Sequence, residues 1–324
     1  MLNTEGLTPR RDSRKGYDMK KKWLNEEVEF LKKNYNIIPN IHETMNRSRQ
    51  SVYYKAWELG LSCDGKGHIT FNPFYFDKWT PNMAYILGII ASDGNVSKVE
   101  NSYRITITQY NIKLLEAIAM QMNYRGKIKY TKVENKNMGA CKSNKEHFDR
   151  YDLVINSKYL YDRLISLGVN EKKSLNMGKI NVPDEYFVYF TRGYIDGDGS
   201  ISYYMDKRKN NPYYILEVTI LGSYNFLKWM QAKVHKLTGL PKRKPDSKTG
   251  SRIRSIRYRG SVAIPFCEWL YSKDDTVHND IKKGKFQHFL KLDNEFGPYA
   301  RYKMPHNSEL NGVEDIVQNP KERI

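Results

Sequence analysis

The stretch NMAYILGIIASDGNV, residues 82–96, recurs in the second half of the chain as VYFTRGYIDGDGSI, residues 188–201. The two segments align so that Asp93 and Asp198 occupy the same position. The correspondence continues downstream, where TITQYN ending at Asn111 matches LGSYN ending at Asn225, and an amphipathic helix is predicted after each, over 112–122 and 226–237. Self-similarity at this spacing indicates an internal duplication.

Each copy of the repeat has the pattern of a helix, two strands, a helix, two strands and a helix. The copies span residues 80–180 and 181–297, and EKKS at 171–174 pairs with IKKG at 281–284 near their ends. We therefore expect an α+β fold made of two αββαββα repeats.

The first helix of each copy has an unusual composition, because a glycine inside a helix costs roughly 1 kcal/mol relative to alanine. Small residues recur there every four positions: Gly88 and Ser92 in the first copy, and Gly193 and Gly197 in the second. Such a narrow face lets two helices pack closely, and Asp93 and Asp198 would then emerge side by side. Two adjacent carboxylates repel unless a cation lies between them, and Mg²⁺ suits such a position.

ILGIIASDG (86–94) and TRGYIDGDG (191–199) resemble the nine-residue motif of the LAGLIDADG homing endonucleases of the single-chain, two-motif type. The resemblance covers roughly residues 80–295. It implies pseudo-two-fold symmetry, saddle-shaped antiparallel sheets, and metal-dependent double-strand cleavage of a specific DNA site across the minor groove, leaving 3′ overhangs. It assigns the metal to Asp93 and Asp198, whereas the sixth motif position, Ala91 and Asp196, is not expected to bind it.

The resemblance implies further active-site residues. Gln109 matches a glutamine that organises solvent near the metals, with Ser223 as its expected counterpart in the second half. Lys173 and Lys283 are expected to stabilise developing charge, with Lys285 as the alternative to Lys283; for Gln109 and the lysines, an ordinary solvated side chain is the competing interpretation. Mg²⁺ is the expected cofactor, Mn²⁺ is expected to substitute for it, and Ca²⁺ to bind without supporting cleavage.

Nucleic acid is the first partner that the composition indicates, since the chain contains 54 Lys and Arg but only 36 Asp and Glu, which gives a net charge of +18. Strand residues Arg104, Thr106 and Thr108 alternate with isoleucines, which predicts a polar face for DNA opposite an apolar face. Additional phosphate contacts are expected from a set of basic residues: Lys127, Lys129, Lys242, Arg243 and Lys244.

A second basic strand is predicted over SRIRSIRYRG, residues 251–260. Arg252 and Arg254 have one parity and Arg257 and Arg259 the other, so a bulge near Ser255 would be needed to give one basic face. For any single basic residue here, a solvated surface charge is the alternative.

The chain before the repeats has its own organisation: a basic arm (1–18), a helical module (19–63) and a linker (64–79). WLNEEVEFLKKNY and RSRQSVYYKAWELGL resemble Myb-like helix-turn-helix domains, with Asn25 and Ser48 as expected caps and Gly60 as an expected helix end. Three basic residues of this module are expected to contact DNA: Arg47, Arg49 and Lys55. Residues 298–324 lack strong periodicity, and we expect an irregular tail.

Several classes of protein are disfavoured. No apolar run approaches the roughly 20 residues that cross a membrane, and the N-terminus lacks a secretory apolar core. Cys63, Cys141 and Cys267 lack zinc-ligand spacing and are interpreted as reduced thiols. We expect a monomer in the cytoplasm or nucleoid of a microbe or phage-infected cell, not secreted, with an organelle as the alternative. The competing functions are an intron RNA maturase and a non-cleaving DNA-binding regulator.

Overall fold

The structure is a computed structural model that describes residues 22–35, 37–38, 40–61, 71–100, 102–134, 147–171, 173–206, 213–247, 253–273 and 276–296. The chain divides into two compact units between Asn72 and Pro73. The predicted arm, the tail, Cys63 and Cys141 lie outside the described residues. None of the helices described is both long enough and apolar enough to cross a bilayer.

The N-terminal unit contains three helices: α1 (Asn25–Asn34), α2 (Ile41–Thr44) and α3 (Arg49–Glu58). Ser48 caps α3 as predicted, since its hydroxyl accepts from Ser51 N at 3.1 Å, and Gly60 ends the unit's last turn with φ +69°. The prediction that Asn25 caps α1 is wrong. Leu24 is the cap residue, and its N–H donates to the Glu27 carboxylate at 2.9 Å. The three helices enclose a small apolar core of Leu31, Ile41, Val52 and Ala56.

Arg47 belongs to the interior of this unit, which corrects its predicted role in contacting DNA. It is 8% exposed, its guanidinium donates to both Glu27 carboxylate oxygens at 2.9 and 2.7 Å, and it lies over the Trp23 ring. A guanidinium held by a bidentate carboxylate and an aromatic face links the start of α1 to the segment just before α3. Arg49 is exposed over Tyr53, and Lys55 pairs with Glu58 at 2.6 Å.

The first repeat follows the predicted order of elements. They are α4 (Pro81–Asp93), β1 (Gly94–Val99), β2 (Ser102–Gln109), α5 (Ile112–Gln121), β3 (Lys129–Glu134), β4 (His147–Asn156), α6 (Lys158–Leu167) and the short α7 (Lys173–Asn176). Thr80 caps α4 at 3.1 Å from Met83 N, and Pro81 takes the first helical position, where its missing N–H costs nothing.

The second repeat begins with a 3₁₀ turn (Asp184–Tyr186) and has the same order. Its elements are α8 (Phe187–Asp198), β5 (Gly199–Asp206), β6 (Tyr213–Gly222), α9 (Tyr224–Thr238), β7 (Asp246–Ser247), β8 (Arg254–Arg259), α10 (Ala263–Leu270) and α11 (Asp280–Phe296).

Each repeat builds a four-stranded antiparallel sheet, and the strand orders are equivalent: β1-β2-β4-β3 and β5-β6-β8-β7. Their registers also match, since Gly94 pairs with Ile107 and Gly199 with Ile220. In both sheets one face is apolar and buried and the other carries polar side chains. The predicted duplicated α+β fold is therefore confirmed.

Helices α4 and α8 pack along their small-residue faces, as predicted. A methyl group added at Gly88 would collide with Phe190 O, and one added at Gly193 would collide with Tyr85 O. These two collisions are equivalent to each other, because Tyr85 and Phe190 occupy the same position of the two copies. Only glycine allows so close an approach of two backbones, which offsets its cost within a helix.

The predicted bulge in the second basic strand is absent over the described part of β8. Pairing with β6 runs without interruption from Glu217↔Arg259 to Gly222↔Arg254. Arg254 therefore has the parity of the buried Ile256, and it stands on the opposite side of the strand from Arg257 and Arg259. The prediction that a bulge unites all the arginines on one face is wrong for these residues, and Arg252 lies outside the described residues.

The end of the predicted linker packs on the first repeat. Phe76 is fully buried, its carbonyl accepts from Arg163 Nε at 3.0 Å, and Tyr159 OH donates to Asp77 Oδ2 at 2.6 Å. Cys267 is a buried free thiol in α10, and burial raises its pKa, so it is not a reactive group.

Candidate functional site

The candidate site is formed by the last residues of the two central helices, Asp93 of α4 and Asp198 of α8. A methyl group at Gly197 would collide with the Ser92 side chain and lie 3.0 Å from Asp93 Oδ2. The absence of a side chain at Gly197 thus brings the ends of the two helices together. Each aspartate is followed by a glycine that starts the first strand of its sheet.

The carboxylates of Asp93 and Asp198 lie in an unfavourable environment for negative charge. Burial, and then the nearby Asp198 charge, raise the pKa of Asp93 to about 6. Burial likewise raises the pKa of Asp198. A pair of carboxylates with raised pKa values at one point of the fold is typical of a functional site and not of a solvated surface.

Gln109, the last residue of β2, is 6% exposed and donates from Nε2 to Asp93 Oδ2 at 2.6 Å. It therefore contacts the site as predicted from the sequence. Its predicted counterpart, Ser223, does not: Ser223 caps α9 and its hydroxyl donates to Met177 O. The matching strand registers make Gly222 the equivalent of Gln109, so the second half has no side chain at this position.

Two lysines flank the carboxylates, Lys173, which is buried, and Lys282, which is half-buried. Lys173 is 7% exposed and donates to Ser92 O at the end of α4. In the second half the corresponding lysine is Lys282, whose Nζ donates to Ile195 O at 2.7 Å and to Gly199 O at 2.8 Å. An ammonium group at a helix C-terminus is stabilised by the outward carbonyls and by the helix dipole.

The assignment of Lys283, with Lys285 as its alternative, is therefore corrected to Lys282. Residues 281–284 follow Asp280 in the first turns of α11, and a shift of one residue turns a side chain by about 100° around a helix. Burial lowers the pKa of both Lys173 and Lys282, and the charges of Asp93 and Asp198 oppose this lowering in each case. The two lysines and two aspartates thus form one electrostatically coupled cluster.

The polar face of the first sheet carries the predicted strand residues. Arg104 is exposed, Thr106 and Thr108 are half-buried, and Ile105 and Ile107 between them are fully buried. Thr108 does not face solvent freely, because its hydroxyl donates to Asp152 Oδ1 at 2.6 Å, and Asp152 also pairs with Arg150 at 2.9 Å.

The polar face of the second sheet carries Arg257 and Arg259, both exposed. Arg257 lies opposite Thr219, and Arg259 lies opposite Glu217, with 3.8 Å between Arg259 Nε and Glu217 Oε2. The Arg259 guanidinium also lies 5.3 Å from the Tyr204 ring centroid. This face is basic, but one of its two arginines is already partnered within the sheet.

The remaining predicted phosphate contacts differ in exposure. Lys127, Lys129, Lys242 and Lys244 are exposed. Arg243 is half-buried: its Nε is buried and lacks a hydrogen-bond partner among the described residues, and its main-chain N–H donates to Gln231 Oε1 at 2.6 Å. Its role as a phosphate contact stays a prediction.

No protein-family model matches this sequence, and no curated protein matches it. Solved structures do match. The meganuclease I-SmaMI bound to uncleavable DNA is 12% identical, with a TM-score of 0.46, and the match covers 68% of this chain and 94% of that one. The I-LtrWI LAGLIDADG homing endonuclease bound to target DNA is 12% identical, with a TM-score of 0.44, over 69% of this chain and 92% of that one. The LAGLIDADG meganuclease I-AabMI bound to uncleaved DNA is 11% identical, with a TM-score of 0.45, and the match covers 67% of this chain and 91% of that one.

Proposed function

We propose that the protein is a site-specific, metal-dependent DNA endonuclease of the LAGLIDADG homing type, in which each repeat contributes one carboxylate to a shared active site. The observation that carries the proposal is the juxtaposition of Asp93 and Asp198 at the ends of two glycine-packed helices, with Lys173 and Lys282 close to both. A fold that only bound nucleic acid would have no need of two neighbouring carboxylates that repel one another and would repel a phosphate backbone.

The residues present fit a divalent cation. Among the described residues no cluster of three or more His, Cys, Asp or Glu side chains is found, so the protein would supply two carboxylates and little else. Mg²⁺ is commonly bound in this way, by one or two carboxylates together with water and substrate phosphate oxygens. Asp93 and Asp198 would hold it, and a cation between them would remove their mutual repulsion.

A metal bound there would supply charge neutralisation at the scissile phosphodiester. The chain's own residues would do the remaining work. Gln109 holds Asp93 Oδ2 in one orientation and presents an amide next to the reacting groups. Lys173 and Lys282 would place positive charge beside the phosphate as negative charge develops on its oxygens, and their attachment to helix-end carbonyls keeps them in position before substrate arrives.

The sheets supply the surface along which a duplex would lie. Both expose a polar face with basic side chains, Arg104 and Lys129 in the first sheet and Arg257 and Arg259 in the second. Phosphate contacts from these residues would position the duplex, and Thr106 on the same face of the first sheet would contact base edges. Intron RNA is the alternative polyanion, and a monomer is the proposed functional form.

Cleavage of DNA tests the proposal. A supercoiled plasmid carrying the gene's own locus with the insert removed is incubated with wild type, Asp93→Asn or Asp198→Asn, with Mg²⁺ or with EDTA. We expect wild type to linearise the plasmid only with Mg²⁺, and either substitution to lower the rate by at least about 100-fold or to leave a nick, because a carboxylate that holds the metal has been lost.

Glu116→Gln is the matched control, since it removes a carboxylate charge from an exposed position of α5. It should cut like wild type. Tight binding of the plasmid without cutting by any variant would contradict the endonuclease proposal and favour the maturase or the regulator.

A further inference from the structure

The two repeats differ at one buried pair of positions in the central helices. Tyr85 of α4 and Asp196 of α8 are joined by a hydrogen bond of 2.9 Å from the tyrosine hydroxyl to Asp196 Oδ2. The equivalent positions of the other copy are occupied by Phe190 and Ala91, which have no polar side-chain atoms. One polar pair across the helix interface thus corresponds to an apolar pair on the other side of the pseudo-two-fold axis.

Asp196 also reaches the start of the last helix. Its Oδ2 accepts the main-chain N–H of Asn279 at 2.8 Å, and the Asn279 side chain in turn accepts from Ile281 N at 3.1 Å. Asn279 is the residue immediately before α11, so Asp196 holds the N-terminal end of that helix against α8. Lys282 lies three residues further on, and its Nζ donates to carbonyls at the end of α8, that of Asp196 among them at 2.8 Å.

Burial of Asp196 is costly. The residue is 4% exposed, and its Oδ1 is buried without a hydrogen-bond partner among the described residues. A buried carboxylate with hydrogen bonds to only one of its oxygens lowers the stability of the fold, so a role in positioning its partners would explain its presence. Those contacts are the Tyr85 hydroxyl and the Asn279 main chain.

We propose that Asp196 is a positioning residue of the second half of the site, which fixes Lys282 at the end of α8 by anchoring the start of α11 to both central helices. Its role as an aid to cleavage rests on the proposed endonuclease function. The placement of Lys282 does not, and it can be measured on the protein without metal or DNA. The first half has no equivalent device, because Ala91 occupies the position and Lys173 approaches α4 from the short α7.

Chemical labelling of the two lysines tests this placement. Wild type, Asp196→Ala, Asp196→Asn and Tyr85→Phe are treated in EDTA with a limiting amount of N-hydroxysuccinimidyl acetate, and acetylation of Lys282 and Lys173 is followed by peptide mass spectrometry. Lys173 serves as an internal reference within each sample. In Asp196→Ala, we expect Lys282 to be acetylated about tenfold faster and Lys173 to be unchanged, because the loss of two hydrogen bonds frees the start of α11.

Two further variants separate positioning from loss of stability. Asp196→Asn keeps an acceptor for Tyr85 and Asn279, so it should restore protection of Lys282 to within about twofold of wild type. Tyr85→Phe removes only the hydroxyl that contacts Asp196, and it introduces the residue found at the equivalent position 190. Acetylation of Lys282 in this variant should be intermediate between wild type and Asp196→Ala. If Asp196→Ala does not fold, this variant provides the test. Val234→Ala, a buried change in α9 away from this network, should leave the ratio of Lys282 to Lys173 labelling unchanged.

An equal rise at Lys282 and Lys173, or no rise in either Asp196→Ala or Tyr85→Phe, would overturn the proposal. When wild type cuts a plasmid, strand-specific end labels extend the test: Asp196→Ala should slow one strand by at least about tenfold and the other by less than about threefold. Equal slowing of both strands would show that the residue does not serve one half of the site. A wild type that cuts no DNA would refute the endonuclease proposal. The labelling would still decide whether Asp196 keeps Lys282 in its position.

Discussion

Asp93 illustrates how a single residue is placed at a cost to stability. The residue is half-buried, lies near the Asp198 charge and receives one hydrogen bond from Gln109. Because burial and the second charge raise its folded-state pKa to about 6 from an ordinary value of 3.8, ionisation of Asp93 opposes folding. The penalty is absent below about pH 4, grows as pH rises through the interval between the two values, and is complete above about pH 6.

Asp93→Asn is therefore expected to stabilise the metal-free protein at neutral pH. In EDTA at pH 7.5, the free energy of unfolding should rise by up to about 3 kcal/mol, since the neutral amide still accepts from Gln109 and no longer repels Asp198. At pH 3.5 the two proteins should be equally stable. Urea denaturation at both pH values measures the difference, with Glu116→Gln as the exposed control. A lower stability of Asp93→Asn at pH 7.5 would contradict this account.

At the scale of elements, the α4–α8 pair is the part of the fold on which the site depends most directly. The backbones of these helices approach so closely at Gly88 and Gly193 that no side chain fits between them. Any widening of this interface would separate Asp93 from Asp198, since both are carried at the ends of the same two helices. Glycine here serves the site through the distance between helices, not through backbone flexibility.

Gly193→Ala is expected to destabilise the protein by roughly 2–4 kcal/mol, because the added methyl meets Tyr85 O and the close packing cannot yield without moving a whole helix. Gly284→Ala in α11 is the matched control: it is also a helical glycine, but it has open space around the added methyl. That change should stabilise the protein by up to about 1 kcal/mol. Thermal unfolding of both variants makes the comparison, and equal effects in the same direction would refute the interface argument.

The N-terminal unit shows how a basic residue can be structural at the element scale. Arg47 and Arg49 are two residues apart, yet Arg47 is enclosed by Glu27 and Trp23 whereas Arg49 is exposed. Such a buried, bidentate pair adds to the stability of this helical unit. The contribution matters because the core is small and few apolar side chains are available to hold the helices together. Of the two, only Arg49 remains available to contact a phosphate.

At the scale of the whole molecule, the charge balance favours association with a polyanion. The net charge is +18, and the exposed faces of both sheets carry part of the excess. Long-range attraction of this kind is screened by salt, whereas hydrogen bonds to base edges are screened little. The salt dependence of binding therefore reports how many phosphates the protein contacts.

Binding of a fluorescent DNA duplex is expected to weaken about 1,000-fold between 50 and 200 mM KCl, which corresponds to about six phosphate contacts. The measurement is fluorescence anisotropy in the presence of Ca²⁺. Arg257→Ala should lower the slope of log K against log salt by about one, since it removes one exposed phosphate contact, whereas Arg254→Ala, on the opposite side of β8, should leave the slope unchanged. A slope near zero would argue against a backbone-binding surface.

The sequence alone was sufficient for features with a local or repeated pattern. The duplication, the order of elements, the aspartates at the helix ends and the alternation along β2 all followed from periodicity or self-similarity, which local backbone geometry imposes directly. The role of Ser48 as a cap is of the same kind, because a cap contacts residues only a few positions away.

The tertiary structure decided the features that depend on contacts between distant segments. Lys282 and not Lys283 reaches the site because the rotation of α11 is set by its packing, and one residue turns a helical side chain by about 100°. Gly222 and not Ser223 is the equivalent of Gln109, because strand register and not sequence alignment defines which positions of the two repeats correspond. The link from Tyr85 through Asp196 to Asn279 joins three separate segments. The residue pattern within one segment does not predict which other segments will pack beside it.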